Sequence, residues 1–138
     1  MANLPAACER FRTAIEGEIK QSMHNDGSVP GLYGMLQYHF GWLDSDLQPT
    51  QGKTGKLLRP TLCLLAAEAV GADYHVALPA AAALELIHNA FLIHDDIQDR
   101  STERHHRGTV WHLWGVAQGI AAGDATMALA QSTLLRSI

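Results

Sequence analysis

The near absence of strand patterns limits the fold of this chain more than any other feature. The sequence has no alternating runs of Val, Ile and Thr, whereas Ala and Leu recur at helical spacing throughout. Of the 138 residues, 47% are hydrophobic and 17% are charged, which is enough apolar material for a sizeable core. We therefore predict an all-α protein, an antiparallel helix bundle that forms a single domain over residues 1–138.

Proline, glycine and polar residues divide this pattern into six predicted helices. Pro60 suits a first helical position, because the residue before a proline avoids the α region, and Gly71 suits a helix end. A polar linker at about residues 47–54 separates the second helix from the third, and a basic loop covers residues 100–108. The predicted helices cover about residues 4–23, 30–44, 60–70, 76–99, 109–114 and 117–137.

Charge and cysteine content exclude some classes of partner and location. A net charge of −4 and a pI near 6.0 provide no basic field for a phosphate backbone, so we predict no nucleic-acid partner. Cys8 and Cys63 match no metal spacing or disulfide framework, which favours a reducing compartment. The residues after Met1 do not resemble a signal peptide. We therefore expect a cytoplasmic protein.

The longest apolar stretch, residues 76–93, is predicted to be a buried helix of a soluble protein. Pro79, Glu85, His88 and Asn89 interrupt it, and polar side chains of this kind are costly in a bilayer. We predict no membrane span.

Three carboxylates follow this stretch. Asp95 and Asp99 are four residues apart and share a helix face, and Asp96 lies three residues before Asp99. Like charges this close repel one another, so the cluster is best explained if cations neutralise it. Carboxylate oxygens favour Mg²⁺ or Mn²⁺, and Mg²⁺ often joins one or two carboxylates to substrate phosphates. The alternative is a solvated acidic helix end.

Basic residues suited to an anion precede and follow the carboxylates. Lys56 and Arg59 come just before the predicted helix start at Pro60, where free backbone N–H groups also face an anion. A flexible basic loop is the alternative reading. His88 lies two turns before Asp95 on the same face and could donate to a phosphate, although a lone histidine on an apolar helix is often a core residue.

The predicted loop after Asp99 is strongly basic. It contains Arg100, Arg104, His105, His106 and Arg107, which could close over an anion held by metal ions. A solvated turn that balances the acidic helix end is the alternative.

Taken in order, these motifs resemble the trans-isoprenyl diphosphate synthase family. Gly55–Pro60 resembles its Gly-Lys-x-x-Arg-Pro box, while Glu85–His88 and His94–Asp99 resemble its first aspartate-rich helix. Arg104–Trp111 and Gly123–Asp124 resemble its arginine-rich loop and a later Gly-Asp helix. The resemblance covers roughly residues 50–130 and implies the N-terminal half of the isoprenoid synthase fold.

The resemblance implies a set of site residues. Asp95 and Asp99, helped by Asp96, would hold Mg²⁺ ions that clamp an allylic diphosphate. The diphosphate of isopentenyl diphosphate would be bound by Lys56, Arg59, His88 and, in place of the family's second arginine, His105.

The same resemblance assigns contacts to the allylic substrate and its chain. Arg104 would contact the allylic diphosphate, and Arg107 would bind it too, which compensates for the missing second arginine. Ala90 and Phe91 occupy positions at which the family limits the length of the growing chain.

The implied reaction joins an allylic diphosphate to isopentenyl diphosphate. The family carries a second aspartate-rich motif in its C-terminal half, whereas Asp124 is the only acidic residue after Glu103 here. We therefore expect a half-subunit that needs a separate C-terminal half or self-association. The alternatives are a non-catalytic or regulatory subunit that binds a prenyl diphosphate and, more remotely, a phosphohydrolase using His94 and Asp95.

Overall fold

The computed structural model describes residues 3–24, 29–50, 52 and 55–137. Two short strands, β1 (Glu103–Arg104) and β2 (Arg107–Gly108), pair antiparallel. A 3₁₀ turn, Leu135–Ser137, follows the last helix. The all-α prediction is confirmed, with this small hairpin added to it. The helices are α1 (Leu4–Ser22), α2 (Pro30–His39), α3 (Leu58–Ala69), α4 (Tyr74–Gln98), α5 (Val110–Trp114) and α6 (Val116–Leu134).

The second helix is five residues shorter than predicted, because glycine ends it. Gly41 has a φ of 84°, in the left-handed region that glycine adopts without strain. Its N–H donates to the Tyr38 carbonyl (2.9 Å), and the Trp42 N–H donates to the Gln37 carbonyl (3.0 Å). This pair of bonds is a Schellman motif, which satisfies the last carbonyls of α2.

The third helix starts two residues earlier than the proline rule predicted. Leu57 has a left-handed backbone (φ 53°), and its carbonyl accepts the Thr61 N–H at 3.1 Å, so the helix begins at Leu58. Shifts of one or two residues at helix ends are usual. The predicted end at Gly71 is confirmed: this residue has a φ of 81° and donates to the Glu68 carbonyl at 2.9 Å.

The chain divides into two compact units, and the first comprises residues 1–24, 56–87 and 128–138. Phe11, Ile15 and Ile19 recur every four residues along α1 and are almost fully buried. The α1 helix packs against α3, and Leu64 of α3 is fully buried. Phe11 also meets Tyr74 edge to face, with ring centroids 5.1 Å apart. Apolar helix faces thus form this core.

The second unit comprises residues 25–55 and 88–127. Its core contains Met35 and Tyr38 from α2, Ile93 from α4, Val110 from α5 and Ala122 from α6. Because Ile93 is buried here, another face of α4 is exposed, and it carries Phe91, Asp95 and Asp99.

Helix α4 is long and apolar enough to cross a membrane by length and composition alone. In its most apolar window 44% of residues are buried within the structure. A core helix of a soluble protein passes the same test, so the absence of a membrane span remains a prediction.

Candidate functional site

The C-terminal end of α4 presents an acidic and aromatic face in the second unit. Asp95 and Asp99 are both exposed, and the Asp99 N–H donates to the Asp95 carbonyl at 2.8 Å, which continues the helical pattern. Phe91, one turn before Asp95, is 54% exposed, whereas Ala90 is completely buried. The open face of α4 therefore carries Phe91, Asp95 and Asp99 at helical spacing.

Asp96 lies on the buried side of the same helix and pairs with Arg104 of β1. The Arg104 Nε donates to both Asp96 carboxylate oxygens, at 3.1 and 3.2 Å, and Nη2 donates to Oδ1 at 2.9 Å. The Asp96 side chain is only 3% exposed and that of Arg104 is 32% exposed. A buried carboxylate is costly without such a charged partner. Arg104 therefore neutralises Asp96 within the fold.

The structure does not bring the three carboxylates to one surface. Among the residues that the structure describes, no group of three or more His, Cys, Asp and Glu side chains is arranged to hold a metal ion. Asp96 is committed to Arg104, and the exposed Asp95/Asp99 pair remains. This pair supplies two hard oxygen ligands, the number that Mg²⁺ often takes from protein when phosphates supply others.

A β-hairpin with a two-residue turn takes the place of the predicted basic loop. Glu103 pairs with Gly108 and Arg104 with Arg107, so His105 and His106 form the turn. Both histidines have positive φ, 51° and 62°, as the central residues of a type I′ turn require. Histidine is among the residues that tolerate this region, but no Asn-Gly or Asp-Gly pair marks the turn in the sequence.

Arg107 faces the end of α2. Its Nη1 donates to the Tyr38 carbonyl at 2.9 Å and its Nη2 to the Leu43 carbonyl at 2.6 Å. The guanidinium carbon also lies 4.1 Å from the centroid of the Tyr38 ring, a cation–π contact. The Tyr38 hydroxyl donates in turn to the Gly108 carbonyl at 2.7 Å. Burial raises the pKa of Tyr38, and the Arg107 charge partly offsets that rise.

A histidine that the sequence did not single out lies beneath this basic region. His39 Nε2 is 3.1 Å from Asn89 Oδ1 on α4. The pKa of His39 is lowered to about 4, chiefly by burial and also by the charges of Arg104, Arg107 and His105, while the bond to Asn89 opposes the shift. His39 is therefore neutral near pH 7, and Nε2 carries the proton that Asn89 accepts.

The predicted cations at the start of α3 belong to the first unit. Lys56 is exposed just before α3, and Arg59 is exposed in its first turn. His88 belongs to the second unit and is half-buried on α4. The structure therefore places the candidate ligands for isopentenyl diphosphate in both units, with His105 exposed at the hairpin turn.

The Gly-Asp pair of α6 packs against His94 on α4. A Cβ at Gly123 would lie 2.1 Å from His94 Nε2, so only glycine fits there. That nitrogen lies 3.2 Å from the Ile120 carbonyl oxygen and 3.6 Å from Asp124 Oδ1. Gly123 thus has a packing role that sequence spacing alone did not reveal.

The family model for polyprenyl synthetases matches residues 41–137, which is more than half of the chain. The chain therefore belongs to the polyprenyl synthetase family, whose members are prenyl diphosphate synthases.

Individual relatives agree with this assignment. The chain is 48% identical over 106 residues to a (2E,6E)-farnesyl diphosphate synthase of Mycobacterium bovis, covering 77% of this chain and 30% of the relative. A geranylgeranyl diphosphate synthase of Mycobacterium tuberculosis is 45% identical over 99 residues, covering 72% of this chain and 28% of that protein.

The solved structures show the same fold. A polyprenyl synthetase from Streptomyces coelicolor is 42% identical with a TM-score of 0.88, covering 96% of this chain and 39% of that one. This chain therefore spans about a third of the length of the relatives it matches.

Proposed function

We propose that this chain uses the Asp95/Asp99 pair to bind the diphosphate of an allylic prenyl diphosphate through Mg²⁺ or Mn²⁺, for condensation with isopentenyl diphosphate. The observation that carries the proposal is the exposure of both carboxylates, four residues apart at the end of α4, while Asp96 is buried against Arg104. Membership of the polyprenyl synthetase family supports it.

The donor set fits such a metal. Asp95 and Asp99 offer hard oxygens on one helix face, and substrate phosphates can complete the coordination of Mg²⁺. A bound ion would neutralise the negative charge that develops on a diphosphate leaving group. Asp96 would help indirectly, because its charge holds the Arg104 side chain at the end of the same helix.

The basic side chains would bind the two diphosphates. Arg104 uses Nε and Nη2 for Asp96, which leaves Nη1, on a side chain that is 32% exposed, for the allylic diphosphate. Lys56, Arg59, His88 and His105 would bind isopentenyl diphosphate, as the motif order implies.

The prenyl chain of the substrate would extend from the diphosphate along α4. Phe91 is 54% exposed one turn before Asp95, so its ring would contact the prenyl chain and limit its length. Ala90 is completely buried and would act only through its small size, by allowing its neighbours to pack closely.

We infer that turnover needs a complementary C-terminal half, supplied by a separate chain or through self-association. Apolar side chains are exposed in each unit, Leu62 at 50% in the first and Phe91 at 54% in the second, and a further half would cover such surface. A non-catalytic subunit that binds a prenyl diphosphate is the second candidate, because it needs the same exposed pair. The phosphohydrolase alternative is weaker, since His94 packs against α6.

Product formation separates these functions. The chain is incubated with Mg²⁺, geranyl diphosphate and isopentenyl diphosphate, alone and with a candidate C-terminal half, and prenyl products are measured. We expect product in the mixture if a separate chain supplies the second half, or from the chain alone if self-association does, and none in either case when the chain carries Asp95→Asn. Binding of geranyl diphosphate without product in any mixture would favour the non-catalytic subunit. Unchanged binding in Asp95→Asn would contradict the metal site itself.

A further inference from the structure

The guanidinium group of Arg107 contacts other groups of the protein through two nitrogens and one face. Two of its nitrogens donate to backbone carbonyls, those of Tyr38 and Leu43, and its flat face covers the Tyr38 ring. Both carbonyls lie at or just beyond the C-terminal end of α2, where the last helical carbonyls need donors and favour a positive charge. Arg107 thus caps this end of α2.

Arg107 is also the cross-strand partner of Arg104. Two adjacent strands in a hairpin fix one another's register, and a slip by one residue turns every side chain to the other face. The turn between the arginines has two histidines with positive φ, a conformation that costs energy unless the surrounding structure imposes it. Contacts at the Arg107 end are therefore needed to hold the hairpin in this register.

We propose that Arg107 is a positioning residue, which anchors β2 to the end of α2 and thereby places Arg104 on Asp96 at the candidate site. Sequence comparison predicted that Arg107 contacts the diphosphate directly. The geometry favours an indirect role, because both terminal nitrogens already donate to backbone oxygens and the ring of Tyr38 covers one face. Only the expected effect of Arg107 on diphosphate binding rests on the proposed function, whereas its role in placing Arg104 on Asp96 does not.

The Tyr38 hydroxyl provides a second, uncharged anchor. It donates to the carbonyl of Gly108, the residue after Arg107, at 2.7 Å. Lysine cannot replace the arginine, because an ammonium is a point charge on a flexible stem and lacks the planar fork that reaches two carbonyls at once. A positioning role therefore predicts that Arg107→Lys fails like Arg107→Gln, whereas a purely electrostatic role predicts that Arg107→Lys is tolerated.

The test follows the Nε–H of Arg104 by NMR in the 138-residue chain without ligand. Its resonance is assigned with Arg104→Lys, and its hydrogen exchange is measured in wild type, Arg107→Gln, Arg107→Lys, Tyr38→Phe and Arg10→Gln. The last variant removes an arginine from an exposed ion pair with Glu68 in the first unit. Circular dichroism confirms that each variant retains its helices.

We expect exchange to accelerate about tenfold or more in both Arg107 variants, less in Tyr38→Phe, and not in Arg10→Gln. Unchanged exchange in Arg107→Gln would overturn the proposal. The second arm measures binding of inorganic diphosphate with Mg²⁺ by calorimetry. Equal weakening in Arg107→Gln and Arg107→Lys is expected, and wild-type affinity in Arg107→Lys would show direct charge contact instead. If wild type does not bind, the proposed function fails, and exchange alone decides the role of Arg107.

Discussion

Replacing Arg104 with methionine should destabilise the second unit by leaving the Asp96 charge buried without a partner. Exposed ion pairs contribute about 0–1 kcal/mol, whereas removing one partner of a buried pair costs about 3–5 kcal/mol. Asp96 is 3% exposed but Arg104 is 32% exposed, so solvent screens one end of the pair. We therefore expect Arg104→Met to lower the free energy of unfolding by about 2–3 kcal/mol.

Urea unfolding followed by tryptophan fluorescence measures this loss. Trp42, Trp111 and Trp114 all lie in the second unit, so their emission reports on it. With a slope near 2 kcal/mol/M, the midpoint should fall by about 1–1.5 M.

The double variant with Asp96→Asn should recover most of the loss, because the buried charge is then absent. Arg10→Gln, which breaks an exposed pair in the first unit, should cost less than about 1 kcal/mol when urea unfolding of the helices in both units is followed by circular dichroism. Equal losses in Arg104→Met and Arg10→Gln would refute the reasoning.

Two further predictions concern packing and pH. Gly123→Ala should lower the free energy of unfolding by about 1–3 kcal/mol, because its Cβ would overlap the His94 ring. The same substitution at Gly17, where a Cβ meets nothing within 4 Å, should not destabilise its helix. Equal losses of stability in the two variants would contradict the packing role of Gly123. Because the pKa of His39 is lowered to about 4 in the folded state from about 6.5 when unfolded, stability should be fully present above pH 6.5 and fall by about 2–3 kcal/mol as the pH falls to 4. Urea midpoints measured across this range check it. His39→Gln, whose amide can still donate to Asn89, should lose that part of the pH dependence, and an unchanged profile would exclude His39 as the source.

Local periodicity predicted the helices well. The α1 stripe of Phe11, Ile15 and Ile19, the end of α4 near residue 98 and the stop at Gly71 all follow from spacing and from residue preference. The end of α2 was missed because two apolar residues, Trp42 and Leu43, follow Gly41 and mask its signal as a helix end.

The contacts that organise the site could not be predicted in the same way. Arg107 reaches the Tyr38 carbonyl across 69 residues of sequence, and no local pattern encodes a contact that distant. Asp96 is adjacent to Asp95 in sequence but faces the core, so the sequence suggested that Asp96 helps Asp95 and Asp99 at one site, where the fold provides only two exposed carboxylates. The family motifs identified the candidate site residues, and the structure shows that Asp96 is buried whereas Asp95 and Asp99 are exposed.

Calorimetric titration of the chain with geranyl diphosphate in the presence of Mg²⁺ tests the central claim most directly. Asp95→Asn and Asp99→Asn are compared with Asp46→Asn, the same substitution at an exposed position of the second unit. We predict Mg²⁺-dependent binding in wild type and Asp46→Asn, and a loss of about tenfold or more in affinity in the two site variants. Binding that is equally tight in all four proteins, or that does not require Mg²⁺, would contradict the assignment of the Asp95/Asp99 pair.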